Sequence, residues 1–397
     1  MTCDSQRLVM AAADKFRGTA TAAEVAEAVA RAARGAGWTC DEAALADGGE
    51  GTLEALGGDP RFTTVRGPLG DPVEAEWRLG AGARPAAGGG AVIRPGGAGG
   101  GGRLDSGGGR LDGGGGADRA VIEMARASGL ELAGGAEAND ALRATTYGTG
   151  ELIAAAIAAG ARRIVVGVGG SATTDGGLGA VSALRAARLV HPGGPQRPSE
   201  RGAAWAAPPV GLPAEVVVAC DVTTLFVDAA GRFAPQKGAT QAQVALLGRR
   251  LERLAQVYER DYGVDVRELV GSGAAGGLAG GLAALGAALV SGFDLVAAEL
   301  DLAERVARAD LVVTGEGHLD AESLSGKVVG GVVGLAGDAG VPVLVVAGEV
   351  DTDAVPAHWA GAPVQVVSLV DRFGPEQAMA DTLGCVKTVV SEHLDSL

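Results

Sequence analysis

DLVVTGEGHLDAESLSGKVVGGVVGLAGDAGVPVLVVA, residues 310–347, is the stretch that decides the fold. Its apolar runs, Asp310 to Thr314 and Val341 to Ala347, have the length and β-branched content of strands buried on both faces. The segment between them, from about Ser325 to Ala339, reads as a helix. A strand, a helix and a second strand predict a right-handed parallel crossover, which puts the loops after both strands on one carboxyl edge. At the other end of the chain Arg7 to Ala13 is a run of the same kind, followed by the loop Asp14 to Gly18 and a helix. Thr21 and Glu24 have capping-box spacing at that helix's start, and Gly35 and Gly37 close its far end. The middle of the chain has another texture: Trp77 to Leu79 and Arg119 to Met124 alternate as in a mixed sheet, while Arg162 to Val168 and Glu215 to Cys220 read as buried strands. The expectation is a two-domain α/β chain. Residues 1–68 and 286–397 together make a parallel α/β domain, and residues 69–285 make a mixed α/β domain inserted into it.

Composition limits the function. With 397 residues, 47% of them hydrophobic, the chain has ample apolar surface for two cores. Only 3% are aromatic, so Ala, Val and Leu must build those cores. A formal charge of −15 repels the nucleic-acid backbone, and no basic cluster interleaved with aromatics offsets it. Cys3, Cys40, Cys220 and Cys385 are scattered without zinc or disulfide spacing. No signal-peptide pattern or spanning apolar run is visible, so the expectation is a cytoplasmic protein without membrane contact. Thirteen of the residues from Gly96 to Gly116 are glycine, and Gly-Arg-Leu-Asp occurs there twice. Two imperfect copies cannot stack into a calcium-binding coil, so 96–116 reads as a flexible glycine-rich loop.

The chemistry concentrates in loops after the apolar runs. Gly167 to Gly177 contains Gly169, Gly170, Ser171, Thr173 and Asp175. Small residues and hydroxyls before a helix suit an anion cradle, and a capped tight turn has the same composition. Asp175 there can bind Mg²⁺, accept a hydroxyl proton or cap the helix. A second loop, Thr314 to Asp320, carries Gly315, Glu316, Gly317, His318 and Asp320 and leads to Lys327. Acids with a lysine are what phosphoryl transfer requires, although the spacing is not that of a Walker A loop. Lone His318 is given no role. Asp14, Lys15 and Arg17, then Asp47 to Thr52 with Glu50, then Pro235 to Thr240 with Lys237, add cations and carboxylates in glycine-rich settings. Gly271 to Gly276 fits a dinucleotide motif but lacks the buried strand before it, and reads as a turn opening an Ala/Gly-rich helix.

Nine of these segments, in this order, resemble the glycerate kinase family, the bacterial group that makes 2-phosphoglycerate. They are Asp14 to Thr19, Ala46 to Thr52, Ala120 to Ala125, Thr145 to Gly150, Gly169 to Gly177, Ala219 to Val222, Pro235 to Thr240, Gly273 to Leu278, and Thr314 to Gly317 with Gly326 and Lys327. The resemblance implies a cleft between two α/β domains, ATP and Mg²⁺ as co-substrates, and D-glycerate as acceptor, phosphorylated at C2. The chain departs from the family at Ala13, Lys15 and Arg17 (usually Pro, Ser and Lys), at Thr223 and Thr224 (usually Asn-Pro) and at His318 (usually Arg). It is also longer than the family norm from about Gly80 to Gly116. On this reading Asp175 is a base or metal ligand, and Lys237 and Lys327 partner phosphate charge. Asp221, Glu316 and Asp320 bind metal or orient groups, with Asp175, Asp221 and Glu316 as the metal set. Gly169, Gly170, Ser171, Thr173, Gly315 and Gly317 line the nucleotide. Lys15 and Arg17 clamp the substrate carboxylate beside Asp14, Asp47 and Glu50. The rival readings are a kinase making 3-phosphoglycerate or acting on another small hydroxy acid, and a nucleotide-binding regulator without transfer chemistry. The assembly is expected to be a monomer or homodimer.

Overall fold

The computed structural model of the chain describes residues 6–80, 118–190, 211–324, 327–351 and 363–397, with 353, 355 and 361. The glycine-rich segment 96–116 lies outside the described residues, as do Ser325 and Gly326. In chain order the strands are β1 (Leu8–Ala13), β2 (Thr39–Ala44), β3 (Asp59–Arg66), β4 (Pro72–Leu79), β5 (Arg119–Glu123), β6 (Arg163–Gly167), β7 (Glu215–Ala219), β8 (Ala288–Val290), β9 (Leu311–Leu319), β10 (Val343–Val350) and β11 (Val364–Ser368). The helices that shape the site are α1 (Ala22–Gly35), α2 (Thr52–Leu56), α3 (Tyr147–Ala158), α4 (Leu178–Ala186), α5 (Gln241–Tyr262), α6 (Ala274–Ala284), α7 (Gly292–Glu299), α8 (Val328–Ala339) and α9 (Thr382–Asp395).

The first sheet has the order β11-β10-β9-β1-β2 and is parallel throughout, so strands from both chain ends share it. The second has the order β3-β4-β5-β6-β7-β8; β3, β4 and β5 are antiparallel neighbours, and β5 to β8 are parallel. Its strands run from Asp59 to Val290. Both outer members, β3 and β8, fall outside 69–285 and join by hydrogen bonding to β4 and β7.

The period of two along each strand decides how the layers stack. On β1, Val9, Ala11 and Ala13 face a core with Val25 and Val29 of α1 and Val386 and Val390 of α9. Met10 and Ala12 face the other way, into a core with Phe293 and Val296 of α7 and Val329 and Val333 of α8. That second core also takes Val121, Val165 and Val217 of the second sheet, so the two sheets share it. Ile122, Ile164, Val166 and Val218 point away from it, onto Leu152 of α3, Leu184 of α4, Leu251 of α5 and Leu278 of α6. The Thr21 capping box forms as the spacing predicts: Thr21 Oγ1 accepts from the Glu24 peptide, and the Thr21 peptide donates to Glu24. No helix among the described residues is long and apolar enough to cross a membrane.

One expectation needs correction. The stretch from Thr314 to Asp320 is not a loop, because β9 continues to Leu319 in register with β10, pairing Glu316 with Ala347 and His318 with Glu349. β10 itself extends to Val350, which supplies the neighbouring hydrogen bonds that a sequence reading of one strand alone cannot see.

Candidate active site

Most of the residues singled out in the sequence lie on segments leaving the carboxyl ends of strands: β1, β2 and β9 of the first sheet and β6 and β7 of the second. In parallel α/β sheets that edge is where ligands bind. The Asp14 peptide donates to Gly315 O of the neighbouring strand at 2.9 Å, and its Oδ1 accepts from the Lys15 peptide at 2.7 Å. Burial pushes the Asp14 carboxyl up to about 6; the Lys15 charge pulls it back, and Asp47 pushes it further up. Asp47 Oδ1 closes its own turn on the Gly49 peptide at 3.2 Å.

Asp221 follows β7. Its Oδ1 accepts from the Gly292 peptide at 2.8 Å and Ser291 Oγ at 3.3 Å, while Oδ2 is buried with no hydrogen-bond partner. Burial first, and the Asp47 charge second, push Asp221 up to about 7. Glu316 on β9 also reaches about 7, by burial with the Asp14 charge adding to it, and its Oε1 likewise has no partner. Glu316, Asp14, Asp47 and Asp221 therefore form a succession of mutually repelling carboxylates that passes from the first sheet to the second. Lys327, just before α8, pairs with Glu322 at 3.4 Å and pulls Glu316 down. Burial pushes Asp320 up, but hydrogen bonds from the Ser323 peptide and hydroxyl outweigh it and hold the carboxyl below its usual value.

The loop after β6 is built differently from an open cradle. A Cβ on Gly169 would lie 2.6 Å from Gly49 Cα, and one on Gly48, whose φ is +85°, would lie 2.7 Å from Ala219 O. These glycines let the turn after β2 pack backbone to backbone against the ends of β6 and β7. The Gly169 peptide donates to Gly48 O and the Ala172 peptide to Ser128 O. Lys237 is buried beneath this loop, where Nζ donates to Ser171 Oγ and Thr173 O, both at 2.7 Å. Desolvation lowers its ammonium to about 7, with the Asp175 charge pulling the other way. Asn139 ties the same parts together by donating to Ala172 O and Lys237 O.

Asp175 turns inward. It accepts from the peptides of Thr146 (2.9 Å), Gly177 (3.0 Å) and Gly179 (3.1 Å) and from Thr146 Oγ1 (2.9 Å), fastening the loop to the starts of α3 and α4. Burial nevertheless raises its carboxyl above the usual range. Asp175, Asp221 and Glu316 are thus not brought together. Among the described residues no three His, Cys, Asp or Glu side chains gather to hold a metal ion unaided.

A cleft of about 510 Å³ opens beside β1, and Asp14, Lys15, Arg17, Glu50, Glu54 and Arg126 are among its lining residues. Lys15 Nζ donates to Glu50 O across it at 2.8 Å. The structure so brings together Asp14, Lys15, Arg17 and Glu50, with Asp47 in the adjoining turn. Three functional candidates escaped the sequence reading: Asn139, Glu123 and Arg126. For Glu123 a signal existed, a lone carboxylate closing the otherwise apolar run from Ala120.

The model of the glycerate kinase family matches residues 9–394. The chain is 36% identical to the glycerate 2-kinase of Escherichia coli K12 over 384 residues, 92% of this chain and 91% of that protein. It is 36% identical to the glycerate kinase of Bacillus subtilis 168 over 379 residues, 90% of each. A crystal structure from Salmonella typhimurium LT2, of a protein assigned as glycerate kinase 2, superposes with a TM-score of 0.71 at 32% identity and covers 99% of this chain and 98% of that one.

Proposed function

Because the chain belongs to the glycerate kinase family, we propose that it moves the γ-phosphoryl group of ATP to the C2 hydroxyl of D-glycerate, giving 2-phospho-D-glycerate. The observation that carries this reading is the meeting of the two sheets' carboxyl edges, where four carboxylates follow one another and one of them, Asp14, also lines the cleft that holds Lys15, Arg17 and Arg126.

Mg²⁺ fits the donor set. Asp221 Oδ2 and Glu316 Oε1 are hard oxygen donors without partners, and Mg²⁺ is usually held by one or two carboxylates plus substrate phosphates rather than by a full protein cage. Asp221 would hold it together with the substrate phosphates, and when bound it supplies charge neutralisation on the transferring phosphoryl group. Lys15 and Arg17 hold the substrate carboxylate, which fixes C1 and limits which hydroxyl can lie in line with the γ-phosphorus. The hydroxyl oxygen attacks phosphorus, ADP leaves, and the hydroxyl proton passes to Asp14, whose carboxyl at about 6 is tuned close to working pH. Lys237 and Lys327 offset phosphate charge, Lys237 from beneath the Ser171 to Thr173 turn. Asp175 orients that turn through its hydrogen bonds, Asp320 orients the start of α8 through Ser323, Gly317 keeps β9 close beneath the first loop, and Gly315 lets β9 lie against Val346 of β10. The two sheets correspond to two domains, with the insertion widened from 69–285 to the strands that pair within it.

The test is regiochemical. Enzyme, ATP, Mg²⁺ and D-glycerate followed by enolase alone should give phosphoenolpyruvate absorbance at once. A signal that appears only after phosphoglycerate mutase is added means transfer to C3, and ADP release without D-glycerate dependence removes the acceptor assignment altogether.

A further inference from the structure

Glu123 ends β5 in the second sheet, yet its carboxylate is committed to the other wall of the cleft. It is buried, 3% exposed. Its Oε1 accepts from the peptides of Gly51 at 2.9 Å and Leu53 at 3.1 Å, the turn that opens α2. Its Oε2 accepts from Arg126 Nε at 3.2 Å. Gly51, in the left-handed region, has no side chain to cap α2, so the cap arrives from 72 residues away. A cap alone needs only one oxygen. The second oxygen fixes Arg126, which lines the cleft with its side chain 40% exposed and its Nη2 only in a long, 3.9 Å ion pair with the half-exposed Glu54, a partner that a substrate carboxylate can displace. The peptide that donates to Glu123 follows the Glu50 carbonyl that receives Lys15 Nζ. One buried carboxylate therefore fixes a cation on each side of the same cleft, Arg126 directly and Lys15 through one peptide unit.

We propose that Glu123 is a positioning residue that sets Arg126 opposite Lys15 as a two-sided clamp for the carboxylate of the substrate. The inference rests on the D-glycerate reading above. A guanidinium presents paired N–H donors matched to a carboxylate, and holding its Nε on Glu123 orients that fork in advance. Arg126 then touches the substrate, and Glu123 acts through it. Glu123→Gln keeps the shape and the acceptor for Gly51 and Leu53 but turns an N–H₂ toward Arg126, which releases it.

The experiment is steady-state kinetics with each substrate varied in turn, on wild type, Glu123→Gln, Arg126→Met and the double variant, with thermal melts alongside. Both single variants should raise KM for D-glycerate roughly ten- to a hundredfold, the size expected for a lost charge-assisted contact. KM for ATP should stay within about twofold of wild type. In the Arg126→Met background, Glu123→Gln should raise KM for D-glycerate much less than it does alone. An unchanged KM for D-glycerate in Arg126→Met, an equal rise in both KM values, or an undiminished Glu123→Gln effect in that background overturns the inference. If Glu123→Gln does not fold, Arg126→Met decides by the same split, because its half-exposed side chain leaves the core untouched. A wild-type chain that does not phosphorylate D-glycerate sinks this inference together with the function beneath it; an active wild type with an unchanged Arg126→Met sinks the inference alone.

Discussion

Asp175 and Asp221 show how two carboxylates that each follow a buried Val-rich strand receive different work. Asp175 has donors from three peptides and two hydroxyls, whereas Asp221 keeps one buried oxygen with no partner. Asp175→Asn turns an N–H₂ toward peptide donors, so it should lower stability by about 1–3 kcal/mol in urea unfolding and turnover by roughly ten- to a hundredfold. Wild-type stability in that variant would mean the hydrogen bonds do not hold the loop. Asp221 predicts the reverse for stability. Its folded pKa of about 7 lies above the ordinary value of 3.8, so the contribution of the protonated form is present below about pH 4 and lost as pH rises through 7. Asp221→Asn has no such loss. Without divalent cation it should therefore be more stable than wild type at pH 8, by about 1 kcal/mol or more, with the gap closing toward pH 4. Its turnover should collapse if Asp221 holds Mg²⁺. An equal stability difference at both pH values would refute the buried-charge account. The residue types at these positions are visible in the sequence. Which of them has an idle oxygen is not, because the partners come from residues up to 71 positions away.

At the scale of elements, the glycines after β2 and β6 matter for packing as well as for turns. Gly169→Ala would drive a Cβ into Gly49, backbone against backbone, where neither side can yield cheaply. The turn from Asp47 to Gly51 would have to shift, and with it the Glu50 carbonyl that holds Lys15. The expected result is a turnover loss of tenfold or more, with KM for D-glycerate raised, while the two sheets stay folded. Full activity in Gly169→Ala would show that the contact is loose. From sequence alone this loop suits an anion cradle or a tight turn equally, since small residues serve both purposes. The contact with Gly49 shows that Gly169 serves backbone packing. The capping box at Thr21 was legible for the opposite reason, since both partners lie within four residues.

At the scale of the whole molecule, β4 and β5 are antiparallel neighbours, with Leu79 opposite Ala120 and the Gly80 peptide donating to Arg119 O. The chain leaves the second sheet at Gly80 and is back beside that point at Asp118. Replacing residues 82–116 by a short Gly-Ser turn spans that gap without strain, and the composition of 96–116 offers little apolar surface to bury. Melting temperature and turnover with D-glycerate should both stay near wild type. A large drop in either assigns the segment a role its composition does not suggest.

The sequence by itself determined the elements and their class. Continuous Val-rich runs separated by a helix mean parallel buried strands, and the order of nine motifs carries the family resemblance from Asp14 to Lys327. Local spacing is enough for these, because strand burial and helix capping are set within a few residues. The tertiary structure decided that β9 runs through Gly315 and Glu316 to Leu319, that Glu316, Asp14, Asp47 and Asp221 form one succession, and that Glu123 from the second sheet fixes the turn of the first. Each of these depends on backbones far apart in the chain meeting across the shared core, where desolvation and like charge act together. No periodicity along the chain encodes that meeting.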